Sequence, residues 1–178
     1  LADYPKLLAG DRMDAAEPRR WALVAREASI PEERGGSERW SADHLFVDQD
    51  AIPTIVEVKR SEDTRRRREV VGQMLDYVSH ATLHWDAEGL RAAFEHTCDE
   101  EGTAPEETLA DLLDGDEGAT EDFWERAEAN LRSGNVRLLF VADDVPSELK
   151  RIVEFLNERL STVEVLAVEV TPYTSGDR

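Results

Sequence analysis

Five residues of this chain have types and spacing that could carry chemistry: Asp43, Glu57, Lys59, Gln73 and Tyr77. The short apolar run Ile55-Val56-Glu57-Val58-Lys59 holds a carboxylate and an ammonium two residues apart. Side chains alternate along a strand, so Glu57 and Lys59 share one face while Val56 and Val58 take the other. Asp43 is expected near the same end of the hairpin that carries Glu57. Two carboxylates with free oxygens suit a hard divalent cation such as Mg²⁺, which takes oxygen ligands and keeps several waters. Such an ion acidifies water and neutralises phosphate charge, and Lys59 beside it could orient water or stabilise developing charge. The competing reading is an exposed charged pair on a sheet surface, which is common and contributes little.

Several elements must position these groups. Trp21–Glu27, Trp40–Asp48 and Thr54–Lys59 read as three strands of an antiparallel meander, with a loop over Ile30–Arg39 and turn chemistry in Asp48-Gln-Asp-Ala-Ile-Pro53. Asp63 or Thr64 caps a long helix to about His84, with Val70, Val71, Met74, Leu75, Val78 and Ala81 as its buried stripe. Gln73, Tyr77 and Arg66 share a face of that helix and could hold a nucleic-acid backbone. A helix over Asp86–Thr97 follows, then an acidic, mobile stretch over 99–120 with one turn at Leu109–Leu113, and a helix over Glu121–Leu131. Val136–Ala142 is an apolar strand of the kind covered on both faces, Pro146–Leu160 a helix with Leu149, Ile152, Val153, Leu156 and Leu160 inward, and Val163–Val170 the last strand. The final strand-helix-strand unit predicts a parallel crossover. Leu1–Ala9 reads as a helix end with Gly10 as its C′ residue, and the tail from Thr174 as loose. The expected fold is α/β: a mixed sheet with helices on both faces and a helical acidic insertion. One domain spans 1–178, with its core over about 21–84 and 135–171 and the insertion over about 86–133.

Charge is distributed unevenly. The formal net charge is -19, from 40 acidic and 21 basic residues, and Arg outnumbers Lys 18 to 3. That sum argues against a generic polyanion binder; acidic, lysine-poor surfaces also suit high salt. Lys59–Arg68 nevertheless holds six basic and two acidic residues, whereas Glu95–Glu128 holds fourteen acidic residues and one Arg. Arg60 and the run Arg65, Arg66, Arg67 and Arg68 are the candidate nucleic-acid contacts, because cations opening a helix oppose its dipole and need another reason to be there. No apolar run approaches the length of a membrane span. A lone Cys98 excludes an internal disulfide and points to a reducing, cytoplasmic setting. His44 should point away from Asp43 as a structural residue, Asp48 and Asp50 read as turn residues, His80, His84 and His96 lack metal-site spacing, and Cys98 lacks a neighbouring base.

Asp43, thirteen intervening residues, then Glu57-Val58-Lys59 resembles the D…(D/E)-x-K pattern of the PD-(D/E)XK nuclease superfamily, and Gln73-Met-Leu-Asp-Tyr77 resembles the Q-x-x-x-Y motif of its RecB-type and archaeal mismatch-endonuclease members. The element order is similar to that superfamily's restriction-endonuclease-like α-β-β-β-α-β core. The resemblance covers roughly Trp21 to Val170, with its motifs confined to 43–77. It implies Asp43 and Glu57 as metal ligands, the Val58 backbone carbonyl as a third oxygen, Lys59 as the catalytic lysine and Gln73 and Tyr77 as the auxiliary pair. Glu27 would be a further upstream acid. It also implies Mg²⁺, with Mn²⁺ substituting, and DNA phosphodiester hydrolysis in repair or defence. Ala42 stands where the family has proline, and the acidic surface departs from the usual nuclease. Lys59→Ala is then expected to abolish cleavage with little effect on stability. The rival expectation is a silent module on the same fold that binds nucleic acid, or a basic protein through the acidic insertion. A homodimer is a further expected partner state; a membrane is not. An acidic DNA mimic leaves the arginine run unexplained.

Overall fold

Alternating and continuous apolar runs build a five-stranded sheet with neighbours in the order β1-β2-β3-β4-β5. The computed structural model describes residues 8, 10–13, 15–31, 38–59 and 67–171. A short helix α1 (Gly10–Met13) precedes β1 (Trp21–Pro31), β2 (Glu38–Asp48) and β3 (Pro53–Lys59). The helices α2 (Arg67–His84), α3 (Ala87–Glu101), α4 (Pro105–Leu112), α5 (Glu117–Glu121) and α6 (Phe123–Ser133) follow. β4 (Arg137–Ala142), α7 (Ser147–Arg159) and β5 (Glu164–Glu169) complete the order. The first three strands form the expected antiparallel meander; β3 pairs parallel with β4, and β4 with β5. The chain is therefore α/β with a mixed sheet. Among the described residues no helix is long and apolar enough to cross a membrane.

The period of two along the strands separates two cores. One face carries Leu45, Val47, Ile55, Leu138, Phe140 and Val165, packed under α2, α3 and α6. The other carries Leu23, Phe46, Val56, Leu139 and Val141, covered among the described residues by Leu8 and by Met13 of α1. Helices on both faces were expected; the long ones all pack on the first face. α7 lies on that face too, with Leu149, Val153, Leu156 and Leu160 against the core, but each is only half-buried.

Four further expectations change. Gly10 begins α1 instead of ending a helix, and a Cβ there would collide with the Arg19 carbonyl. The helix end over 1–9 lies outside the described residues except for Leu8. β1 continues past Glu27 to Pro31, because its pairing with β2 resumes at Ala28↔Ala42 after Glu27 takes a positive φ of 48°. In α2 the inward stripe is Val70, Met74, Tyr77 and Ala81, at steps of four, three and four, and Leu75 is exposed. Most consequential is 99–120, which folds largely as helix. Gly102 ends α3 in the left-handed region, Pro105 opens α4, and the Asp116 carboxylate accepts the Gly118 and Ala119 N–H groups to cap α5. Leu109, Leu112 and Leu113 are buried, so the acidic composition belongs to an outer surface over an apolar underside.

At the end of the sheet remote from Glu57, Arg137 heads β4 with its guanidinium buried. It donates to Asp48 Oδ2 at 3.0 Å and to Glu164 Oε2 at 2.5 Å, and stands over the Trp21 ring. Asp48 Oδ1 meanwhile accepts the N–H groups of Asp50 and Ile52 at 3.0 Å each. Asp48 is thus the turn residue its position suggested, and also the counter-charge of a buried cation.

Candidate metal centre and active site

The meander opens where the charged side chains are. β2 and β3 pair through Val47↔Pro53, Phe46↔Thr54, Leu45↔Ile55 and His44↔Val56. Continuing that register sets Asp43 opposite Glu57, and opposed residues of an antiparallel pair project from the same face. The ladder stops there although neither strand does: β2 goes on pairing with β1 through Ala42 and Ser41, and β3 with β4 through Lys59. At the opening the Val58 N–H donates to Asp43 Oδ2 at 2.7 Å, so a side-chain carboxylate takes the bond that strand backbone would otherwise accept. The N–H and C=O of one strand residue point the same way, so the Val58 carbonyl also faces the gap beside Asp43.

Glu57 shares its face with Ile55, hence with the core beneath α2, and is 2% exposed. Its Oε1 receives the Lys59 ammonium at 2.6 Å, and its Oε2 is buried with no hydrogen-bond partner among the described residues. Burial pushes the Glu57 carboxyl above the ordinary glutamate value; the Lys59 hydrogen bond opposes that shift, and the Asp43 charge adds to it. For Lys59, burial pulls the pKa down, but the bond to Glu57 and the charges of Glu57 and Asp43 outweigh it, and the ammonium is held above the usual lysine value. Lys59 is thus a fixed cation.

α2 closes the site from above. Tyr77, on the inward stripe and 1% exposed, donates its hydroxyl to the Ser41 carbonyl at 2.9 Å and accepts a hydrogen bond from Gln73 Nε2. Gln73 and Tyr77, four residues apart, therefore act as a unit tying α2 to β2 two residues before Asp43. Burial raises the Tyr77 pKa, the Gln73 bond opposes it, and the Glu57 and Asp43 charges add to it, so the phenol stays protonated. Ser41 contributes only its backbone, so nothing in its residue type announces it; extending the hairpin register is the signal that would have found it.

The fold thus brings Asp43, Glu57, the Val58 backbone and Lys59 together, with Gln73 and Tyr77 alongside. Glu27 stands opposite Asp43 in the β1–β2 register, but with a left-handed backbone and an exposed side chain. Among the described residues no three His, Cys, Asp or Glu side chains converge as a metal-ligand group, so Glu27 is not gathered with Asp43 and Glu57. Arg67 and Arg68 begin α2, while Arg60, Arg65 and Arg66 lie outside the described residues. His44 faces the second core, its ring 5.9 Å from Phe46. Burial lowers its pKa and keeps it neutral. Cys98 is buried in the first core.

The donor set suits a hard cation. Glu57 Oε2 is a buried acceptor without a donor among the described residues, Asp43 has one oxygen beyond that bonded to Val58, and a carbonyl faces the same gap. Water and substrate would supply the remaining positions. No family model, no curated protein and no solved structure matches this chain.

Proposed function

We propose that the chain is a metal-dependent nuclease of the restriction-endonuclease-like fold, hydrolysing phosphodiester bonds in DNA. One observation carries the reading: at the point where β2 leaves β3, Asp43 faces Glu57, whose buried Oε2 has no partner among the described residues while Lys59 holds its other oxygen. A strand that served only packing would not bury a carboxylate with half its acceptors unmet, because an unsatisfied buried polar group costs about 1–3 kcal/mol. The element order and the mixed sheet support the same reading.

In this account Asp43, Glu57 and the Val58 carbonyl hold Mg²⁺, or Mn²⁺ in its place. When bound, such an ion supplies acidified water and neutralisation of phosphate charge. The chain's own residues do the rest. Lys59, held protonated by its two carboxylate neighbours, cannot serve as a base at neutral pH; it donates hydrogen bonds that orient the attacking water and offset charge growing on the phosphorane. Glu57 fixes Lys59 by accepting its proton donor on Oε1. The Val58 N–H fixes Asp43. Tyr77 and Gln73 are positioning residues, bracing α2 against the Ser41 carbonyl so that the helix opened by Arg67 and Arg68 overlies the site. Arg60 and the run Arg65–Arg68 bind the DNA backbone, for which the guanidinium fork is well matched.

The test is DNA cleavage with Mg²⁺ or Mn²⁺ at low and at molar salt, since a net charge of -19 opposes DNA until it is screened. Cleavage that disappears in Lys59→Ala and Asp43→Asn supports the reading. Binding without turnover in any condition would replace it with a silent nuclease-fold module.

A further inference from the structure

The acidic insertion forms a groove remote in sequence from the residues above. α3, α4, α5 and α6 line a half-open cleft of about 520 Å³, within the range typical of ligand pockets. Phe94, Leu109 and Trp124, core residues 2–7% exposed, form its floor, with Phe94 and Trp124 rings 5.2 Å apart. Its rim is Glu88 and Glu95 on α3, Glu106 on α4, Glu121 on α5 and Glu125 on α6, against a single cation, Arg91. Arg91 is committed to Glu95, its Nε 2.7 Å from Oε1. The hydrogen bond to Glu95 raises the Arg91 pKa first, and the charges of Glu106 and Glu125 add to it, so glutamates on three helices act on one spot.

Glu88, Glu106 and Glu125 lie in first turns, where helix dipoles offset part of the mutual repulsion. That explains how the rim is tolerated, but not why it surrounds a concave apolar surface. A surface acidic only for solvation would need no cavity; one made only for packing would not ring the cavity with five carboxylates.

We infer that this groove docks a basic peptide segment that presents one aliphatic side chain, its cations on the glutamate rim and its apolar anchor among Phe94, Leu109 and Trp124. Charge complementarity selects the partner: the rim is anionic and the whole chain carries -19, so a nucleic acid is repelled here. The apolar surface selects a peptide with an anchor over a bare polycation. The site stands independently of the nuclease reading.

The probe is a fluorescent 15-residue peptide of Arg, Lys and Gly with one central leucine, titrated with the intact chain. Comparison peptides replace the leucine by serine, and spermine serves as competitor. We expect saturable one-to-one binding that weakens at least about fivefold in the double variant Glu106→Gln/Glu125→Gln, the scale of losing two exposed ion pairs. Binding should also weaken about threefold or more without the leucine. The control Glu148→Gln/Glu154→Gln on α7 removes the same charge elsewhere and should leave affinity within about twofold. Equal weakening in both double variants, undiminished binding of the serine peptide, full competition by spermine at matched charge, or no saturable binding would each overturn the proposal. The serine-peptide comparison uses the unaltered chain, so it decides the matter even if the groove variant folds poorly.

Discussion

Replacing Lys59 by methionine should destabilise the protein by about 1–3 kcal/mol above neutral pH. The magnitude follows from the pair's setting. Glu57 is 2% exposed and, among the described residues, its one cation sits 2.6 Å away, so methionine leaves a buried carboxylate that has lost that cation. Breaking a fully buried pair costs about 3–5 kcal/mol, but a Lys59 side chain 34% exposed admits water, which places the loss lower. The burial of Glu57 overturns the reading of Glu57 and Lys59 as a solvent-facing pair, and it sets this prediction against the expectation that losing Lys59 leaves stability little changed. The pH dependence fixes the sign. Glu57 has a raised carboxyl in the folded state against 4.5 for the free side chain. Folding therefore binds a proton between those values, and the burial penalty is fully present above the folded pKa and relieved as pH falls through it. Without Lys59 that folded pKa rises further, so the deficit of Lys59→Met should shrink on acidification toward pH 5. Urea melts from pH 5 to 8 measure it, and thermal melts should show about 2–4 °C per kcal/mol. In a Glu57→Gln background, Lys59→Met should lose most of its effect. A deficit that is flat with pH, and unchanged in that background, would refute the coupling.

Two other perturbations test the scaffold. Tyr77→Phe removes the hydroxyl donated to Ser41 and should lower stability by about 1–2 kcal/mol in urea melts, with the Ser41 carbonyl left unmet; in the nuclease assay it should slow cleavage without abolishing it. Arg137→Met removes the nearer of the two cations on Asp48, leaving Arg19 at 3.7 Å, and should destabilise by about 2–4 kcal/mol, more than a surface arginine such as Arg91→Met, as equilibrium unfolding would show.

Much of this arrangement is legible in the chain because it depends on local periodicity. The alternation around Glu57 assigned it a face, and the hairpin spacing set Asp43 across from it. The four-residue step from Gln73 to Tyr77 made them neighbours. What escaped was set by distant contacts. Leu75 looks as apolar as Met74, but the placement of α2 against β2 gives the inward position to Tyr77, whose hydroxyl has a partner in the Ser41 carbonyl. The stretch 99–120 looks like solvent-loving loop because acidic residues outnumber its leucines, yet Leu109, Leu112 and Leu113 fall on one buried side once α3 and α6 are there to receive them. Arg137 gives no local hint that its counter-charge is Asp48, 89 residues earlier. The bend at Glu27, a positive φ on a residue that does not favour it, is likewise invisible in residue type.

The proposed nuclease activity requires Asp43 and Glu57 to share one divalent cation. Titrating the chain with Mn²⁺ while following the free ion by electron paramagnetic resonance measures this directly. Weak binding to the acidic surface forms a common background. Wild type should show one site tighter than that background, which is lost in both Asp43→Asn and Glu57→Gln and kept in Glu106→Gln. Identical isotherms for all four proteins would contradict the shared site.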